Sequence, residues 1–362
     1  SINASNLPTG VSASLANNIV TISGTPSAQS TGVFNYSITL TGSSTNQTVS
    51  GTLNVIEPPS TIYFENGTCK CPNASVGETA TISGTLYTVV DNSTIAGQIN
   101  NGNVNLCTTL VTNMSNLFSF ESSFNSNISF WDTSNVTNMR FMFHAASSFN
   151  KKIDSWDVSK VTNMNAMFFE ADDFDQSLNN WNVSNVTNMN IMFLNANNFN
   201  QPLNNWNVSN VTFMQQIFEG ATSFNQNIGN WDVSNVTVMG SMFNGATSFN
   251  QDIGNWNVSN VTSMEGMFNN ATSFNQNLSG WCVNNISTEP VSFSDNSALT
   301  NSNKPSWGKQ FTVAFTSGAQ SQTVSVSNAI TPIVYTATPI CSGLTSINAS
   351  NLPTGVSASL AN

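Results

Sequence analysis

Residues 199–221 read FNQPLNNWNVSNVTFMQQIFEGA, and two hydrophobic periods meet inside them. Trp206 and Val208 alternate with Asn205, Asn207 and Ser209, the period of two expected of a short strand with one buried face. After Ser209 the apolar positions become Val211, Met214, Ile217, Phe218 and Ala221, the spacing of one helical face. Ser209 stands where a helix N-cap belongs. The stretch predicts a strand, a cap and about two to three turns of helix.

The stretch is one copy of seven. Trp131, Trp156, Trp181, Trp206, Trp231, Trp256 and Trp281 follow at steps of 25 residues, and the columns Phe124 to Phe274 and Met114 to Met264 keep the same step. Such a period means units that cannot bury a core alone and stack to share one. Val two residues after all but the first of these Trp marks the column as core, with an exposed aromatic ladder as the alternative.

The unit W-N/D-V-S-N-V-T-x-M resembles that of the BspA-like leucine-rich-repeat surface proteins, over about residues 104–285. The segments around Cys69-Lys70-Cys71, Tyr87 to Asn92 and Cys107 to Thr112 look like the leader that caps such arrays. The resemblance implies a cell-surface or secreted location and a rigid interaction scaffold. The fold class expected is mixed: an α/β leucine-rich-repeat-like solenoid of seven units, flanked by parts of an all-β Ig-like sandwich.

The Ig-like expectation comes from the ends. Asn6 to Val11 read N-L-P-T-G-V, and Ser23 to Pro26 read S-G-T-P after Ile22, similar to an Ig-like domain that recurs in long bacterial adhesins. Residues 1–17 recur unchanged as 346–362, an offset of 345. The chain therefore reads as a window on a tandem array, cut inside a domain. Residues 310–345 and 1–57 together approach the roughly 100 residues of an Ig-type sandwich. The expected organisation is 1–57 for later strands, 58–103 for the N-terminal cap, 104–285 for the solenoid, 286–309 for the C-terminal cap, and 310–362 for the early strands of the next sandwich. That sandwich is expected to be completed across the junction between copies.

Composition narrows the function. Of 362 residues only 7% are charged, with Lys+Arg 7 against Asp+Glu 18 and a net charge of −11. That balance argues against nucleic acid or an anionic membrane as partner. Asparagine, 59 residues, supplies much of the surface polarity, while 24 Phe and 8 Trp provide a core. One histidine, His144, leaves little for acid–base chemistry at neutral pH. No window is long and apolar enough to span a bilayer, and Ser1 opens without a signal region, so a soluble fragment or processed product is expected. Cys69, Cys71, Cys107, Cys282 and Cys341 lack metal-ligand spacing and read as structural disulfides of an oxidising compartment, with connectivity open and one thiol left over.

Candidate surfaces follow from departures in the repeat. Asp132, Asp157, Asn182, Asn207, Asp232 and Asn257, between Trp and Val, are expected to line a concave strip, as a hydrogen-bonded ladder or as a site for a polysaccharide or weak calcium. Asn125, Asn150, Asn200, Asn225, Asn250 and Asn275, with Asp175 in the same column, are expected to satisfy backbone groups in turns. Asn135-Val136-Thr137 and Asn182-Val183-Ser184 match glycosylation acceptors as by-products of the repeat.

Arg140, His144, Lys151, Lys152 and Lys160 fall together, followed by Glu170, Asp172, Asp173 and Asp175. The two groups suit intramolecular ion pairs or a contact with another chain. Phe141, Ile191, Phe213 and Val238 extend the neighbourhood as a contact stripe. No catalytic motif, metal site or cofactor site is present in the sequence, and the Asp172 group lacks the facing carboxylate that glycoside hydrolysis needs.

Two functions are consistent with these readings. One is a structural repeat of a long extracellular bacterial adhesin or surface filament, whose partners are neighbouring copies. The other is a binding module whose solenoid face recognises a glycan or protein.

Overall fold

The computed structural model describes residues 1–27, 32–42, 45–56, 61–308, 311–325, 327–339, 352–354 and 356–359. The chain divides into two units, Ser1–Thr61 and Ile62–Asn362.

The first unit is built from alternating strands. Ile2–Ser5 (β1), Val11–Ala16 (β2), Ile19–Gly24 (β3), Gly32–Thr41 (β4) and Asn46–Val55 (β5) form an antiparallel sheet ordered β1-β4-β5 and a β2-β3 hairpin. Ala16 pairs with Ile19, so Asn17 and Asn18 make the whole turn, both left-handed at φ 51 and 64. Asparagine tolerates that conformation, and the two-residue turn fits the strand twist. The core is thin: Pro8 and Ile38 are the buried residues among those described in this unit.

The second unit opens with Tyr63–Glu65 (β6) and Thr68–Lys70 (β7), then Thr79–Ile82 (β8), Thr85–Asp91 (β9), the helix Ile95–Asn100 (α1) and Leu106–Leu110 (β10). β8 pairs antiparallel with β9, and β10 parallel with β9. Near the C-terminus Phe311–Ser317 (β11) pairs antiparallel with Val334–Pro339 (β12).

Between these elements lie the 25-residue coils, and they correct the expected fold class. No coil contains the expected helix. Among the described residues α1 and a three-residue 3₁₀ turn at Asn301–Asn303 are the helical elements, and the other regular structure is β. Nor does a continuous strand sheet join the coils. Single-residue parallel bridges link Asn113, Asn138, Asn163, Asn188, Phe213, Val238 and Ser263 in series. The molecule is therefore a β-dominated chain with a turn-rich coil stack, not an α/β leucine-rich-repeat solenoid.

Backbone bonding gives the reason. Met139, Phe141, Phe143 and Ala145 send their N–H groups to Asn163, Asn165, Met167 and Phe169 of the following coil, at 3.0, 2.9, 2.9 and 2.7 Å. The residues between them, Met142, His144 and Ala146, bond back three positions to Met139, Phe141 and Phe143. A helix would turn all of these donors inward to i−4. Residues 141 and 145 are left-handed, at φ 56 and 54, and left-handed pairs recur at 166/170, 191/195, 216/220, 241/245 and 266/270. Two such residues per coil break any helix. Ser209, expected as an N-cap, instead donates its amide to Asn207 Oδ1 at 3.1 Å in a tight turn.

The apolar columns do what their spacing implies. Met214, Ile217, Phe218, Ala221 and Phe224 are all fully buried, as are their equivalents in neighbouring coils. Phe rings stack from coil to coil at 5.5 to 6.1 Å, as in Phe168 on Phe193 and Phe199 on Phe224. Beyond the last Trp of the period, Phe293 meets Phe268 and Trp307 edge-on and covers this end of the stack.

Candidate functional site

The Trp column is core. Trp206 is 3% exposed, and its indole Nε1–H donates to Leu178 O at 2.9 Å. Trp156, Trp181, Trp231, Trp256 and Trp281 each make the same bond to a carbonyl 28 residues earlier. No aromatic ladder is exposed there.

The strip beside it is exposed except at its first member, but its acceptors are committed. Asp157, Asn182, Asn207, Asp232 and Asn257 each accept the amide of the Ser two residues on, at 3.0 to 3.2 Å. For Asn182, Asn207 and Asn257 the serine hydroxyl adds a bond of 2.7 Å. These bonds hold the turn after each Trp, and at Asp232 the Ser234 hydroxyl, with its amide, keeps the carboxyl below its ordinary range.

Asp132 differs, being 2% exposed. Lys70, from β7, donates to its Oδ1 at 2.9 Å and Thr109, from β10, to Oδ2 at 2.7 Å. Thr109 Oγ1 in turn accepts the Cys71 amide at 3.0 Å. Burial raises this carboxyl, and bonds from Lys70, Ser134 and Thr109 outweigh it, leaving the pKa lowered. The network fastens the leading strands to the first coil.

The asparagine column after each Phe is a ladder between coils. Asn150, Asp175, Asn200, Asn225, Asn250, Asn275 and Thr300 donate their amides to the Oδ1 of the residue 25 before, at 2.9 to 3.1 Å. Gln176, Gln201 and Gln226 add side-chain donors to the same acceptors. Asn135 of the glycosylation-like triplets also serves the coils, its Nδ2 donating to Thr109 O at 2.9 Å.

The charged neighbourhood does not form the expected internal pairs. Among the described residues the ion pairs are Lys70–Asp132 and Lys304–Glu289, and neither joins the basic group of Arg140 to Lys160 to the acidic group of Glu170 to Asp175. Lys160 bonds Asn135 at 2.7 Å, Asp172 accepts from Asn197 at 2.6 Å, and Asp173 accepts from Asn198 at 3.5 Å. Lys151 is half-buried and Lys152 exposed. Among the described residues no group of three or more His, Cys, Asp or Glu is arranged to hold a metal.

Arg140 and His144 instead belong to an aromatic group on the outer face. The Arg140 guanidinium lies 4.7 Å above the Phe141 ring. His144 meets Phe120 edge-on at 4.5 Å and stacks on Phe169 at 4.6 Å. Burial lowers the His144 pKa, with Glu170 opposing. Phe141, Ile191 and Val238 are half-buried and Phe213 is 48% exposed, so the predicted stripe lies on the surface. Its residues fall in two columns, Phe213 and Val238 in the bridge series, Phe141 and Ile191 three positions later. Phe120, 73% exposed, belongs with them and was not legible, because it lies one coil before the charged residues.

Cys71 and Cys107 form a disulfide and Cys69 is a free, buried thiol, pushed up to about 12 by burial and by Asp132. Cys282 is disulfide-bonded. Cys341 lies outside the described residues, as does most of the 346–362 duplicate. No helix among the described residues is long and apolar enough to cross a membrane.

The family model described as Mycoplasma protein of unknown function, DUF285, matches residues 86–206 and 192–307, more than half of the chain. No curated protein and no solved structure matches it.

Proposed function

The chain belongs to the DUF285 family, a repeat-containing one, and on that premise we propose that it is a structural repeat of a long extracellular bacterial surface array, with a period of 345 residues. The observation that carries this reading is the unchanged recurrence of residues 1–17 at 346–362.

The thin core of the first unit supports it. Three strands and a hairpin that bury Pro8 and Ile38 hold too little apolar surface to be stable alone. β11 and β12 followed by a next copy's β1 to β5 would make seven strands, the number of a constant-type Ig sandwich. The proposed partner is thus the neighbouring copy. The Cys71–Cys107 disulfide supports an oxidising, extracellular location. In this reading the coil stack supplies reach and stiffness, because neighbouring coils share one core and cannot hinge independently.

Recognition of a glycan or protein by the coil face is the second reading. The commitment of the Asx strip to its own turns gives no support to a ligand there, and a glycan array probed with the full chain tests it directly.

Sequencing the encoding gene on both sides of this stretch tests the array. The expected result is a segment resembling residues 331–345 immediately before Ser1 and a further copy of residue 18 onward after Asn362. Unrelated sequence on both sides would overturn the proposal.

A further inference from the structure

The coil stack has a direction. From coil to coil the outer amides donate forward, as Phe141, Phe143 and Ala145 do to the carbonyls of Asn165, Met167 and Phe169. One end of such a stack is left with unused carbonyls and the other with unused amides. At the leading end the carbonyls are those of Ser115, Leu117 and Ser119, which accept no hydrogen bond from the described residues. Helix α1, which precedes this coil in the chain, turns its amides back on itself, as Gln98 does to Thr94 O at 3.2 Å. At the trailing end Val291, Phe293 and Asp295 accept the amides of Gly266, Phe268 and Asn270 at 3.0, 2.8 and 2.8 Å. The amides placed to donate onward are those of Ser292, Ser294 and Asn296, and they have no acceptor among the described residues.

Both open rows keep the conformation of the coils between them. Ser292 and Asn296 are left-handed at φ 52 and 55, Asn116 and Phe120 at φ 61 and 65, the pair that every intervening coil repeats. Three alternate amides at one end thus match three alternate carbonyls at the other, in the same columns and register as each joint inside the stack. An ordinary extended strand does not follow this path, because the residues between the outward amides bond back three positions and shorten it, as Met142 does to Met139 O. The shape that fits either end is the other end of the same coil stack. Apolar exposure is also concentrated there: Val291, beside the free amides, is 76% exposed and Phe120, beside the free carbonyls, 73%.

We propose that the trailing end of one copy's coil stack docks on the leading end of another copy, with the Ser292, Ser294 and Asn296 amides donating to the Ser115, Leu117 and Ser119 carbonyls across the joint. The contact is heterologous, so each pair keeps one open end of each kind and the assembly grows in line without closing. Exposed Asp295 and Glu121 flank the two rows, and because both are acidic, added salt favours the joint. The contact lies between coil stacks and does not rest on the 345-residue period.

Sedimentation velocity of the full chain over a concentration series, at low and high salt, tests it. The wild type is expected to grow past a dimer as concentration rises, and to do so at lower concentration in high salt. Val291→Asp blocks the trailing end and Phe120→Asp the leading end, and each is expected to weaken association at least about tenfold. Both side chains are exposed and Asp tolerates the left-handed backbone at 120, so both variants keep the wild-type Tm, which separates loss of the joint from misfolding. An equimolar mixture of the two variants holds one intact end of each kind and is expected to form a dimer that grows no further. A wild type that stays monomeric at every concentration overturns the proposal. So does a closed dimer that either variant leaves unchanged, or a mixture no more associated than its components.

Discussion

The backbone N–H of Asn225 is bonded at 3.0 Å to the side-chain Oδ1 of Asn200, one coil earlier. Asn200 also accepts Gln226 Nε2 at 3.0 Å. One short amide therefore closes two donors of the next coil, and only an acceptor of this length on a fixed backbone reaches both.

Removing it exposes the cost. Asn200→Ala is expected to lower the stability of the stack by about 1 kcal/mol for each bond lost, so about 2 kcal/mol. Asn200→Asp, which reproduces the natural Asp175, is expected to be nearly neutral at pH 7, since Asp175 accepts the same two donors. Urea unfolding of the three proteins checks both; equal losses in Ala and Asp would assign the ladder no role.

The Trp column makes a second prediction. Trp206→Phe keeps an aromatic ring but removes the indole N–H from the Leu178 carbonyl, which keeps the Trp181 amide, at a cost of about 0.5–1.5 kcal/mol. Trp206→Ala adds a cavity and is expected to cost about 3–5 kcal/mol. Thermal unfolding should rank them in that order, and a Trp206→Phe protein as stable as wild type would contradict the structural task given to the indole N–H.

Acid should act first at His144 and only then where the leading strands meet the coils. The folded Asp132 carboxyl has a pKa below its ordinary 3.8, so its contribution is present above that value and is lost as pH falls through the lower, folded one. His144 has its folded pKa below the ordinary 6.5, so protonation favours unfolding and its contribution, full above 6.5, declines as pH falls below it. Asp132→Asn is expected to flatten the stability profile below about pH 4 and to cost about 3 kcal/mol at neutrality by leaving Lys70 unpaired. His144→Phe is expected to flatten the higher window only. Denaturation midpoints across pH would show the two windows separately, and a single variant that erases both would refute the assignment.

Left-handed backbone offers a stabilising change. Glu170, at φ 56, occupies the column that Asn195 and Asn270 occupy in later coils. Glu170→Asn is expected to raise stability by about 0.5–1 kcal/mol. A lower Tm would mean that the Glu170 side chain contributes more than its backbone costs.

Much of the coil was legible in the sequence. The 25-residue step, the buried Trp, Met and Phe columns and the structural task of the asparagines after Phe all follow from composition and spacing. The helix did not form because spacing such as Val211, Met214, Ile217 and Phe218 tells which side chains face inward, not where the backbone amides go. A signal was present: Asn195, Gly220, Gly245 and Asn270 stand in one column, residue types that suit a left-handed backbone. Asp132 was read as one of a strip of equals, because only folding brings Lys70 and Thr109 over it from distant positions. The expected ion pairs failed for a related reason, since Arg140, Lys160, Asp172, Asp173 and Asp175 are each bonded to an amide of an adjoining coil.

Residues 1–57 are proposed as the later part of a module whose earlier strands come from a preceding copy. Amide hydrogen exchange on two chains tests it most directly: the present one, and one in which Thr345 continues into a complete second period. Amides of β4 and β5 are expected to be weakly protected in the single period and in the first copy, and strongly protected in the second copy, where β11 and β12 precede them. Equal protection of both copies and of the single period would contradict it.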